Sequence, residues 1–218
     1  MSFIDLLKQE KELSEQNLTS TNGIEDLNAL SSIRNRIEEY NLEFSEYITL
    51  AKRTMVDQGK YSNLYHSIEG VFTEMGEIID IFKKHSRYGK PIDVVNLKEE
   101  VGDLLWYVAI PYNEGILDDF STEFSIYPAE FDEWNQELTR YIIHDYIKRT
   151  ILNDHLKYKD VCKMCSYYFG FNEKDMSDIM KTNIKKLYLR YGEKFSSEKA
   201  LNRNLKSERE ILEGVKNV

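Results

Sequence analysis

Little in this sequence favours disulfides, strands or a membrane. Two cysteines in 218 residues give no disulfide framework, so a reducing, cytoplasmic setting is expected. Three prolines and ten glycines are few for an all-β or loop-rich chain. The longest unbroken apolar run, Leu104–Ile110, is seven residues, against the ~20 that a bilayer-spanning helix needs. The opening residues lack the basic region and long apolar stretch of a secretory signal. Basic side chains are also short: 29 Lys+Arg against 38 Asp+Glu leave a net charge of −9, the opposite of a general nucleic-acid binder. The expected partners therefore include neither nucleic acid nor a membrane.

What the chain does have is apolar residues at spacings of three and four, the helical signature. The pattern predicts an all-α protein with helices at roughly 33–57, 62–86, 93–110, 129–160, 172–191 and 196–213. Residues 1–32 are polar and weakly periodic, with Thr19-Ser-Thr-Asn-Gly23 in their midst. They read as an N-terminal extension, poorly ordered or helical, ahead of a domain over 33–218. Gly89-Lys-Pro91 separates the second and third helices, and Pro111, Gly115 and Pro128 bracket an aromatic and acidic stretch.

The second and third helices carry a chemical pattern. On the second, Leu64, Ile68, Val71, Phe72, Met75, Ile78, Ile79 and Phe82 form an apolar stripe. Glu74 lies ~100° and Glu77 ~160° from Met75, on a strip shared with His66, Gly70, Ile81 and Lys84. On the third, Val94, Leu97, Val101, Leu104, Leu105 and Val108 form the stripe; Glu100 lies ~100° and Asp103 ~160° from Val101. Carboxylates three apart on a helix can reach one cation, and two antiparallel helices can pool four of them. Four hard oxygen donors without His or Cys suit Mg²⁺ or Mn²⁺. Acid pairs opposite an apolar stripe often do no more than solvate a helix, but these strips also hold Ile81, Tyr107 and Ile110, which calls for cover by another helix or subunit.

Glu74-Met-Gly-Glu77 followed by Glu100-Val-Gly-Asp103 resembles the ExxE…ExxD signature of the MazG-like all-α nucleoside triphosphate pyrophosphohydrolases. The likeness extends over Gly70–Lys84 and Glu99–Tyr107. It resumes at Asn183-Ile-Lys-Lys-Leu-Tyr-Leu-Arg-Tyr191, then Phe195 and Asn202-Arg203. It covers roughly 45–110 and 162–204, with a helical insert at about 111–160 between the third and fourth core helices of a four-helix-bundle-type core. The resemblance implies Mg²⁺-dependent hydrolysis of a (deoxy)nucleoside triphosphate to monophosphate and pyrophosphate, in a homodimer or homotetramer. It implies metal ligands at Glu74, Glu77, Glu100 and Asp103, and substrate contacts at Asn183, Lys186, Arg190 and Tyr191, with Lys84 and His66 as further candidates. Many members carry another glutamate where this chain has Thr73, so Glu74, Glu77 and Asp80 all stand as candidates for the general base. Hydrolysis of guanosine tetraphosphate-type alarmones at the same site is an alternative. A helical interaction module with no catalysis is another.

Two other features carry less. Cys162-Lys-Met-Cys165 is a single C-x-x-C with only His155 and His144 near it in sequence, and reads as structural. Trp106 reads as core rather than as a base-stacking residue. No glycine-rich G-x-x-x-x-G-K-[ST] phosphate loop is present.

Overall fold

A computed structural model describes residues 1–17, 23–125, 134–152, 154–192, 194–196, 198 and 204–214. Among these residues every regular element is a helix, and the contacts divide the chain into two compact units, 1–42 and 43–218. None of the described helices is long and apolar enough to cross a membrane.

In the first unit, α1 (Phe3–Asn17) packs against α2 (Gly23–Glu39) as an antiparallel hairpin. Phe3 meets the Tyr40 ring at 5.4 Å, and Arg34 donates to Glu10 at 3.1 Å. Phe3, Leu6, Leu30, Ile33 and Ile37 are buried. The described residues 3–17 and 23–39 are thus helical, and the contacts close this unit at 42. The helix predicted over 33–57 is broken at 40–43. Phase explains the break: Leu42 would lie ~140° from Ile37 on a continuous helix, yet both are buried.

The second unit holds α3 (Phe44–Lys52), α4 (Lys60–Tyr88), α5 (Val94–Asn113), α6 (Trp134–Leu152), α7 (Tyr158–Phe169), α8 (Glu173–Tyr191) and α9 (Leu205–Leu212). Helix α5 is the hub, packed by α3, α4, α7, α8 and α9. Its apolar residues Leu97, Val101, Leu104, Leu105, Val108 and Ile110 are buried, as a helix with neighbours on most sides requires. Asp93 starts it by accepting from the Asn96 N–H at 3.0 Å. Gly89, at φ 63°, ends α4 in the left-handed conformation that glycine tolerates best.

Two details differ from the sequence pattern. Phe72, placed on the apolar stripe of α4, is 59 % exposed, whereas Gly70 and Ile81 from the carboxylate strip are buried. The helix therefore turns its acid-bearing side further inward. The helix predicted over 129–160 ends at 152, and a separate α7 begins at 158, started by Asp160 accepting from the Lys157 N–H at 3.2 Å. Helix α6 packs on α4, and Arg149 pairs with Asp145, Asp154 and Asp160 at 2.5, 3.3 and 3.0 Å. Residues 129–133, Pro128 and Asn202-Arg203 lie outside the described residues.

Candidate metal centre

Helices α4 and α5 bring three of the four sequence-singled acids together. One carboxylate oxygen each from Glu74, Glu100 and Asp103 lie within 4.8 Å of one another, and all three side chains are half-buried. No other group of three or more His, Cys, Asp or Glu with this convergence occurs among the described residues. Cys162 and Cys165 accordingly gather no histidine; both are buried thiols, and burial pushes Cys162 up to about 12.

The carboxylates disturb one another. Burial first, then the charge of Asp103, raises Glu74 to about 7. Burial, followed by Asp103, Glu74, Glu99 and Glu77, raises Glu100 to about 8. Glu74 and Glu100 share a hydrogen bond, so without a cation this pair retains a proton near neutrality. A divalent ion would replace that proton. The donor set, all carboxylate and free of His or Cys, fits Mg²⁺ or Mn²⁺.

Asp103 is the best-anchored member. The Asn183 amide donates to its Oδ1 at 2.8 Å, and Lys186 Nζ lies 2.6 Å from both of its oxygens. Lys186, 1 % exposed, also reaches Glu99 Oε1 at 3.3 Å. Behind Asn183, the Tyr47 hydroxyl donates to Asn183 Oδ1 at 2.9 Å, with Gly102 O at 3.3 Å. Burial and the nearby Asp103 charge hold that phenol well above its usual pKa, so it stays a donor. The amide's orientation follows, with oxygen toward Tyr47 and nitrogen toward Asp103. Gly102 permits this approach: a Cβ there would meet Asn183 Cβ at 3.2 Å.

The remaining candidates are dispersed. Glu77 is exposed and stands outside the trio, although its charge contributes to the rise at Glu100. Asp80 is paired with Lys83 and Lys84, which hold it down to about 2. Pairing of this kind weakens a carboxylate as a proton acceptor, and Lys84 is engaged by it. Arg190 turns to α9, clasping the buried Glu208 through two bonds of 2.8 and 2.6 Å. Tyr191 is buried with Phe195 at 5.1 Å. His66 is exposed and sits edge-on to Trp106 and Tyr107 at 5.8 and 5.3 Å, outside the trio. Trp106 donates to Thr54 at 3.0 Å, in keeping with a structural role.

Three contributors escaped the sequence reading: Tyr47, Glu99 and the close approach at Gly70. A Cβ on Gly70 would lie 2.1 Å from the Tyr107 ring, so glycine is what lets α5 lay Tyr107 across α4 beside the acids. Glu99, one residue before Glu100, had a visible signal in the doubled acid. Tyr47 had none, since its partners are 55 and 136 residues away.

A cleft of about 310 Å³ adjoins the centre between α5, α8 and α9. Its walls include Val95, Lys98, Glu99, Ile179, Thr182 and Lys186. Compared with family models, with curated proteins and with solved structures, the chain matches none.

Proposed function

We propose that this chain is a Mg²⁺-dependent nucleoside triphosphate pyrophosphohydrolase, releasing monophosphate and pyrophosphate from (deoxy)nucleoside triphosphates. The observation that carries the reading is the convergence of Glu74, Glu100 and Asp103 from consecutive helices, three of the four positions that the MazG-like resemblance implies as ligands. On this reading α3, α4, α5 and α8 form the four-helix core and α6 belongs to the insert. The active protein is a homodimer or homotetramer.

In this role Glu74, Glu100 and Asp103 would hold the cation. When bound, a divalent ion supplies charge for the phosphate oxygens and acidifies water. The chain's own residues do the rest. Asn183, fixed by Tyr47, keeps one Asp103 oxygen oriented. Lys186 supplies a buried positive charge where phosphate charge accumulates. A carboxylate oxygen of Glu74 or Glu100 left unengaged by the ion would be placed to take the proton from water.

The test is to incubate the protein with Mg²⁺ and each ribo- and deoxyribonucleoside triphosphate and to separate the products. Monophosphate plus pyrophosphate, lost in Asp103→Asn, is the expected result. Diphosphate plus orthophosphate, or turnover that Asp103→Asn leaves unchanged, would reject the proposal.

A further inference from the structure

Lys186 is in an unusual position for a residue beside a cation site. Its ammonium is itself a cation, 1 % exposed, and it bridges both Asp103 oxygens at 2.6 Å. With Glu99 at 3.3 Å, its three hydrogens all have acceptors. Asp103 Oδ1 additionally accepts from Asn183. The aspartate of the trio is thus already neutralised by a charge tethered to α8.

A divalent ion drawing on Asp103 would share one carboxylate with this ammonium. Two like charges a few ångströms apart in a partly desolvated place repel several-fold more strongly than in water. The surroundings offer a way out. Glu99 Oε1 is already within 3.3 Å of the ammonium. Beyond it lies the cleft of about 310 Å³, whose walls include Lys186, Asp178 and Thr182. A flexible four-carbon side chain can exchange one acceptor for another there by rotation about its own bonds.

We propose that Lys186 is an internal competitor for the metal site. It caps Asp103 when no divalent ion is bound; when one enters, it gives up Asp103, keeps Glu99 and turns toward the cleft. Metal affinity is then set by the exchange of one cation for another on Asp103. This inference rests on the cation-binding role proposed above.

The test titrates the full chain with MnCl₂ by calorimetry at pH 8, comparing wild type, Lys186→Met and Glu99→Gln. Lys186→Met, which keeps the length and removes the charge, tightens Mn²⁺ binding by about tenfold or more. Glu99→Gln, which removes the negative charge that holds the displaced ammonium, weakens it several-fold. A second measurement needs no variant: acylation of Lys186 in the wild-type protein, read by peptide mass, rises when Mn²⁺ is saturating. If wild type binds Mn²⁺ but Lys186→Met binds it no more tightly, or if Lys186 acylation is unchanged by the metal, the competitor role falls while the cation site stands. If wild type binds no Mn²⁺, both fall.

Discussion

Glu100→Gln should stabilise the metal-free protein at alkaline pH, although it removes a charge from a polar site. The reasoning starts from proton linkage. Glu100 is raised from the ordinary 4.5 of a glutamate to about 8, so the folded chain holds its proton more tightly than the unfolded chain does. Between those two values the unfolded state binds fewer protons, and stability falls as pH rises from about 4.5 to about 8. Taken in full, a rise from 4.5 to about 8 would correspond to roughly 5 kcal/mol. The side chain is only half-buried and shares its proton with Glu74, so screening and coupling reduce this to about 1–2 kcal/mol. Glutamine mimics the protonated carboxyl and avoids that cost. For a domain of this size the gain is roughly 2–6 °C in Tm at pH 8, shrinking toward zero near pH 5. The assay is thermal unfolding in EDTA at both pH values, followed by circular dichroism. A variant less stable than wild type at pH 8, or a wild-type Tm that does not fall between pH 5 and 8, would refute the argument. The same protons oppose the metal, so Mg²⁺ affinity of the wild type should climb over pH 6–8.

Gly70→Ala should lower stability by about 1–3 kcal/mol through collision with the Tyr107 ring, against the gain alanine normally brings to a helix; urea melts check it, and pairing it with Tyr107→Ala should recover most of the loss. Arg190→Ala should cost about 3–5 kcal/mol by removing the guanidinium from the buried Glu208, with Mn²⁺ affinity unchanged; normal stability together with a raised KM for nucleotide would instead place Arg190 at the substrate. Tyr47→Phe should cost about 1–2 kcal/mol, because Asn183 Oδ1 loses the Tyr47 donor, and denaturant unfolding measures it.

The acidic pattern was legible because it is local. Glu100 and Asp103 lie one helical turn apart, and a connection of a few residues, ended by Gly89 and Asp93, returns α5 along α4. The helical class was legible for the same reason. The Arg190–Glu208 pair was not legible because Glu208 sits on a later helix, and nothing within Asn183–Tyr191 distinguishes an arginine facing phosphate from one facing a carboxylate. Asp80 looked available until Lys83 and Lys84, on the same turns, claimed it. Helix α7 escaped notice past residue 160, although Val161, Cys165 and Tyr168 are spaced for one buried face. Tyr47 illustrates the limit most clearly. It is an ordinary core aromatic in sequence, and only the packing of α3 against α5 and α8 turns its hydroxyl toward Asn183.

The account depends on Glu74, Glu100 and Asp103 grasping one divalent ion, and Mn²⁺ reports that directly through its paramagnetic resonance. Adding wild-type protein at pH 8 should deplete the free-Mn²⁺ signal, and Asp103→Asn or Glu100→Gln should restore most of it. A free signal untouched by the wild type, or depleted equally by the variants, would contradict the account.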